Sequence, residues 1–379
     1  MTSFLRPRAR AAFRGGRLAL AALVLAAVGL PACDAGKDID GPCGGTACPE
    51  PLRPLEVASV AEVGFVARPP KVAGRDGAQS AALGGTLLWL FGDTFFATKS
   101  VDGYNYRTIT GAVADVAAPT ATAEPLDANG IPFAALPWTA DELAYNANSG
   151  SGSDRVALWN AGLVPDAARG TLLAFFEKLY TKPEPQGWTA AGIATARFVP
   201  GQTTGTRTSG LLFDVAKGEP LFKHAFLHDG TVYLYGRMPT GGGLARAPLA
   251  RAEERGAYTF WDGSGWSADV KKAVPLANGA PGELSVAWNA YLGRFVGVSS
   301  VPFGTRVVVR TAPRPEGPWS APATLFDTRK GPSGSEATYV GTQHPALEKD
   351  GGKTIAVSYS LPTDCFLCGE VVLVNVTFK

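Results

Sequence analysis

The sequence predicts an all-β protein, a five-bladed β-propeller closed by an N-terminal outer strand. Three observations predict it. Glycine-led turns at Gly85, Gly170, Gly230, Gly293 and Gly352 each open an apolar, aromatic run, as in Gly85-Thr86-Leu87-Leu88-Trp89-Leu90-Phe91, and they stand 85, 60, 63 and 59 residues apart. A tight hairpin favours glycine because a turn residue often takes φ > 0, and a beat near sixty residues fits blades of about four strands. No long stretch shows helical periodicity. The fifth beat holds only three strands, and Ala58–Ala67 is a strand-like segment able to supply the fourth. That pairing would leave no open edge.

The elements follow in order. Residues 1–32 read as a lipoprotein signal peptide: Arg6, Arg8, Arg10, Arg14 and Arg17 precede an apolar stretch, Leu18 to Leu30, too short to span a bilayer comfortably. The stretch closes in Leu30-Pro31-Ala32-Cys33, which resembles a bacterial lipobox whose cysteine is lipidated. The expected product is an exported, membrane-anchored cell-envelope protein. Residues 33–56, rich in Gly, Pro and Asp, read as a flexible tether. Apart from Cys33, the cysteines are Cys43, Cys48, Cys365 and Cys368, for which an exported setting favours disulfides of open connectivity. Without its five leader arginines the chain carries 30 basic and 33 acidic residues, so nothing points to nucleic acid, and a monomer is expected.

Residues 57–379 form the propeller domain. Inner strands are expected at Ala78–Leu83, Val156–Leu163, Phe222–Leu227, Leu284–Trp288 and Thr342–Leu347. Third strands are expected at Ile109–Val116, Gly192–Phe198, Gly243–Pro248, Arg306–Thr311 and Glu370–Thr377. Leu211–Phe213, Tyr258–Trp261 and Ala323–Phe326 suit fourth strands, with none evident in the first blade. The proline-rich Ala117–Ser153 reads as an inserted loop with a helical turn at Leu143–Asn148. A β-sandwich or jelly roll is the competing fold, and it lacks a reason for the regular beat.

A propeller brings the starts of its inner strands to a common axis. Arg75-Asp76, Trp159-Asn160, Lys223-His224, Gly282-Glu283 and Gln343-His344 would meet there as a polar, aromatic cup. Glycosidic hydrolysis needs two carboxyl groups, one protonated and one ionised. Asp76 and Glu283 are candidates, and so is Asp93 of Phe91-Gly92-Asp93-Thr94. Antiparallel neighbours set the end of one strand beside the start of the other, so Asp76 and Asp93 belong on one rim. Arg75, Trp159, Asn160, His224 and His344 are candidate sugar-binding residues, each with a packing or satisfied-core alternative. The indoles of Trp188, Trp261, Trp266 and Trp319 fall in outer strands and turns and read as packing.

Arg75-Asp76-Gly77 followed by Phe91-Gly92-Asp93-Thr94 resembles a bacterial five-bladed propeller family of the domain-of-unknown-function type. So do Gly282-Glu283-Leu284-Ser285-Val286, Asn289-Ala290-Tyr291-Leu292-Gly293-Arg294 and Arg310-Thr311-Ala312 leading into Gly317-Pro318-Trp319-Ser320. That family includes endo-D-arabinanases, and its fold is similar to the arabinanase and β-xylosidase propellers. The resemblance implies a glycoside hydrolase acting on a polysaccharide, with Asp76 as base and Glu283 and Asp93 as acids. One departure stands out: the second inner strand holds no carboxylate, and Asp154 lies just ahead of it.

A non-catalytic glycan-binding module on the same scaffold is the alternative. An interaction scaffold working through the long loop is a third reading. Phosphate loops, serine-hydrolase elbows and zinc-hydrolase histidine spacing are all missing. No cofactor is evident. An axial ion such as calcium, held by ligands from separate blades, stays open.

Overall fold

The computed structural model describes residues 55–148, 155–182, 187–208, 210–238, 241–276, 285–301, 304–331, 338–362 and 369–379. Five antiparallel sheets follow one another along the chain. The first joins Ala78–Leu83, Thr86–Phe91, Thr110–Asp115 and Ala118–Ala123. In the second, Arg155–Asp166, Thr171–Lys182 and Gly187–Phe198 run side by side, with Thr206–Arg207 and Phe213–Asp214 on the outer edge. Leu221–His228, Thr231–Met238, Gly241–Pro248, Thr259–Trp261 and Trp266–Ser267 make the third. The fourth runs Ser285–Asn289, Arg294–Ser300, Arg306–Ala312 and Ala323–Asp327. The fifth has Tyr339–Gln343, Thr354–Pro362 and Gly369–Phe378, and Val57–Phe65 pairs antiparallel with Gly369–Phe378 as its outermost strand. The expected outer strand is therefore present. Val72–Arg75, Thr94–Phe96 and Tyr106–Arg107 form a small separate antiparallel sheet.

The hairpins explain the sequence beat. Gly85, Gly170, Gly230, Gly293 and Gly352 all take positive φ, between 63° and 91°, which a Cβ disfavours. The runs behind them supply the core. Leu88 and Leu90 of the first sheet pack with Leu158 and Phe176 of the second, and Phe175 of the second with Phe222 and Leu234 of the third. Phe226 and Tyr235 meet Val286 and Phe295, Val296 and Val298 meet Val357 and Val374, and Ala356 and Leu373 meet Trp89 and Phe91 of the first sheet. Apolar strands packed on both faces explain why those runs read as near-continuous hydrophobic stretches rather than alternations.

Three expectations need correction. The fifth inner strand is Tyr339–Gln343, and Pro345–Leu347 is a 3₁₀ turn, so Thr342–Leu347 was set too late along the chain. Val340 has φ +54° and the pairing slips between Tyr339 and Thr342, which breaks the alternation that marks a strand. Part of the presumed loop is the fourth strand of the first sheet, Ala118–Ala123, whose edge position tolerates Pro119. The helical turn is a full helix, Ala140–Asn148. Its start is a capping box: Glu142 N–H donates to Thr139 Oγ1 at 3.3 Å, and Thr139 N–H donates to Glu142 Oε2 at 3.0 Å.

The inner strands carry bulges next to the expected cup. The register skips Ala161 between Asn160 and Gly162, and it skips Lys223 between Phe222 and His224. Such insertions re-aim side chains and are common beside functional sites.

Candidate active site

Asp76 follows the strand Val72–Arg75, and Asp93 precedes the strand Thr94–Phe96. Their backbones are tied: Asp76 N–H donates to Asp93 O at 2.8 Å, and Gly92 N–H donates to Asp76 O at 3.0 Å. The two acids thus share one rim, as the antiparallel argument required. A Cβ at Gly92 would meet Asp76 Cβ at 3.4 Å, an ordinary contact distance, so the closeness rests on the backbone pairing.

Their environments differ. Burial pushes the Asp93 carboxyl up to about 6, against the opposing pull of the Trp159 hydrogen bond and the Arg155 charge. Trp159 Nε1 donates to Asp93 Oδ1 at 3.3 Å. Arg155 lies with its Cζ 3.4 Å from the Tyr106 ring centroid, and burial lowers it to about 10 while Asp93 opposes the drop. Asp76 faces Tyr339. Burial, then the Asp76 charge, raises the Tyr339 phenol well above its ordinary value, and the phenol also hydrogen-bonds to Asp76. Tyr339 was missed because the inner strand of its sheet was set too late.

Trp159 has a second set of neighbours. Glu177 is its direct cross-strand partner, and Glu177 is only 2% exposed. Residues directly opposite in an antiparallel pair share a face. Glu177 Oε2 accepts a hydrogen bond from Lys223 Nζ, and that ammonium lies 6.0 Å from the Trp159 ring centroid. The bulge at Lys223 re-aims its side chain, and Gly162 lets the second and third inner strands approach, since a Cβ there would meet Ala225 Cβ at 2.4 Å. The expected second inner strand, Val156–Leu163, holds no carboxylate; Glu177 stands one strand outward from it, and Asp166 at the strand's far end is bound to Arg169 and Arg197. The Glu177 signal was legible, as one acid inside the apolar run Leu172–Phe176 and Leu179.

Trp188 also departs from its expected role. It is 64% exposed, pairs across from Thr181, and its ring meets that of Trp159 edge to face at 5.8 Å and 66°. Trp319 and the Trp261–Trp266 pair do pack.

The remaining candidates divide. Asn160 sits beside Trp159; its Oδ1 accepts from Gly162 N–H at 3.4 Å, and its buried Nδ2 has no partner. Gln79 Oε1, Glu177 Oε1 and Arg155 Nε are likewise buried without partners, all in the first two sheets. Buried polar atoms usually find partners, so these atoms stand out, as do those of Arg75, Arg107, Glu124 and Arg294. Arg75, by contrast, is turned away from the cup: it is 2% exposed, pairs with buried Glu124 and stacks over Phe91 at 4.1 Å. His224 Nε2 accepts from Val286 N–H at 2.9 Å, tying the third sheet to the fourth, and burial lowers it to about 4. His344 is 1% exposed; its Nδ1 bonds Ser80 Oγ at 2.9 Å and its Nε2 bonds Ser358 Oγ at 2.8 Å. Burial lowers it to about 3. Neither Arg75 nor His344 offers a free edge to a sugar, and the late strand assignment is why His344 was set at the cup. Glu283 and Cys33 lie outside the described residues, as do Asp154 and the other four cysteines.

Among the described residues no group of three or more His, Cys, Asp and Glu is arranged to hold a metal ion. Two clefts of about 460 and 330 Å³ open beside Glu124 and Thr203 and beside Trp138 and Arg107. Neither is lined by Asp76 or Asp93, and the charge chemistry outranks cleft size in locating a site.

Known proteins bear on this arrangement. Residues 186–364, less than half of the chain, match a domain of unknown function, DUF4185. No curated protein sequence matches the chain. Among solved structures, it is similar to a Bacteroides ovatus protein provisionally called a hydrolase, with 15% identity, 82% of this chain and 87% of that chain covered, and a TM-score of 0.57. It is also similar to the exo-β-1,3-galactanase of Phanerochaete chrysosporium, seen with β-1,3-galactotriose, with 13% identity, 83% and 63% covered, and a TM-score of 0.53. The chain thus spans under two thirds of the galactanase. At such identities the likeness concerns fold: this all-β chain shares its architecture with that hydrolase-designated protein and with the galactanase.

Proposed function

We propose that the protein is a five-bladed β-propeller glycoside hydrolase, exported and lipid-anchored at Cys33, that cleaves a polysaccharide, with an arabinan-like furanoside polymer as first substrate class. One observation carries the reading: Asp76 and Asp93 are locked backbone to backbone on one rim, and Asp93 is raised to about 6. A carboxyl near 6 keeps its proton long enough to give it to the glycosidic oxygen as the bond breaks. Asp76 then acts as base on water or as nucleophile at the anomeric carbon. Trp159 orients the acid through its indole N–H, and Tyr339 orients Asp76. Glu283 is the further acid that the family resemblance suggests.

The test is hydrolysis of arabinans, arabinogalactan and other polysaccharides by wild type and Asp76→Asn, with products resolved by size. The expected result is release of oligosaccharides by wild type and a loss of roughly 10²-fold or more in Asp76→Asn without loss of fold. A fully active Asp76→Asn would sink the assignment. Binding without cleavage by wild type would favour a surface glycan-binding module, a reading supported by the exposed Trp188. Anchoring is read by membrane fractionation of the full chain; wholly soluble protein would remove the Cys33 lipid.

A further inference from the structure

We infer that Trp188, Trp159 and Lys223 form a subsite that stacks one neutral sugar residue next to the acid pair. The inference rests on the glycan reading above and adds where a neighbouring residue of the chain sits and what charge it carries.

Trp188 is 64% exposed, although an indole is among the costliest side chains to leave in water. It is not a loose surface residue. Its ring is braced edge to face by Trp159, and Trp159 is fixed through Nε1 to Asp93. The strands Thr171–Lys182 and Gly187–Phe198 carry it outward to the row of Arg155 and Thr181, the level at which the Arg155 charge acts on Asp93. An edge-to-face contact engages at most one face of the Trp188 ring, and at 64% exposure apolar ring surface stays open to the C–H face of a sugar. Hydroxyls need a polar group at the side of that face. Lys223, 6.0 Å from the ring of the bracing Trp159, supplies one within the same subsite: its side chain is 34% exposed and its ammonium has three donors, with Glu177 occupying one.

Charge sets the class. The Lys223 cation is already balanced by Glu177, whose carboxylate is 3% exposed, so the subsite presents no surplus positive charge. A uronate or phosphorylated sugar would bring an anion towards Asp93, Asp76 and Glu177, and the one other cation on this row, Arg155, already acts on Asp93. A neutral residue fits.

The experiment is calorimetric binding to the purified protein of neutral arabino-, galacto- and xylo-oligosaccharides and of oligogalacturonates, with hydrolysis recorded in parallel. Wild type, Trp188→Ala and Trp188→Tyr are compared. The expected result is binding of a neutral oligosaccharide, weakened about tenfold in Trp188→Ala and largely restored in Trp188→Tyr, as loss and recovery of a stacking contact. If the enzyme cleaves, KM for long chains rises in Trp188→Ala while kcat holds. Equal binding by Trp188→Ala, tighter binding of oligogalacturonates, or no neutral binding by wild type would each overturn the subsite. Hydrolysis with an unchanged Trp188→Ala would spare the proposed function while removing the subsite. Binding lost in Trp188→Ala without any hydrolysis would do the reverse.

Discussion

Two arcs of the inner strands use similar polar residues to opposite ends. Between the fourth, fifth and first sheets, several polar side chains are spent on one another, with Arg294 Nη2 of the fourth sheet an exception. Gln343 donates through its backbone N–H to Ser285 Oγ at 2.9 Å and through Nε2 to Ser285 O and Val296 O at 3.0 and 2.6 Å, while His344 spans Ser80 and Ser358. Around the first two sheets, Gln79, Arg155, Asn160 and Glu177 keep buried atoms unpaired, and Asp93 is pushed towards protonation. Full satisfaction rigidifies an interior, whereas unpaired groups cost stability and are kept where a ligand repays them. The comparison teaches that the unpaired polar groups lean towards the first two sheets, while the contacts joining the fourth, fifth and first sheets are pegged by satisfied side chains.

The arcs also answer pH with opposite signs. A buried neutral histidine binds its proton more readily when unfolded, so His344 contributes fully above about 6.5, and that contribution fades as pH falls towards 3. Asp93 is the reverse case. Its folded form binds a proton more readily than the unfolded chain does, so its cost is full above about 6 and vanishes below about 4.

Three substitutions sharpen or break this contrast. The largest stability effect is expected for His344→Ala, which strands Ser80 and Ser358 and opens a cavity: a loss of about 3 kcal/mol in denaturant unfolding at neutral pH. A loss under about 1 kcal/mol would mean the peg carries nothing. Next comes Lys223→Met, which leaves buried Glu177 uncompensated and should cost about 2 kcal/mol, discounted because Lys223 is partly exposed. Adding Glu177→Gln should recover most of that loss; no recovery would break the pairing argument. The smallest is Asp93→Asn, expected to stabilise by about 1–2 kcal/mol at pH 8 and by nothing at pH 4 while removing proton donation. Equal stability at both pH values would refute the raised carboxyl.

Much of this was legible in the chain. The turn glycines gave away each hairpin because φ > 0 is a demand that composition cannot hide, and Phe91-Gly92-Asp93 set the second acid beside the first through strand antiparallelism alone. What resisted reading was local irregularity. Val340 breaks the alternation of its strand, which concealed Tyr339 and misplaced His344. Lys223 and Ala161 are bulge residues whose side-chain directions no period-two rule supplies. Trp188 lies in an outer strand where tryptophans usually pack; its exposure follows from how far its hairpin extends, a property of pairing and not of sequence spacing.

The strand Val57–Phe65 has one further consequence, for folding kinetics. Its partner begins more than three hundred residues later, with Val57 opposite Phe378 and Phe65 opposite Val372. Contacts of such sequence separation close slowly, because loop entropy is lost before any pairing repays it. Until Gly369–Phe378 has been made and delivered, Val57–Phe65 has nothing to zip onto. Once made and until the two strands pair, the run Val371, Val372, Leu373, Val374 and Val376 presents an open edge to any passing strand. The pairing of the first and last strands is thus a timing problem, and a chaperone that shields that edge would act on the step most exposed to aggregation.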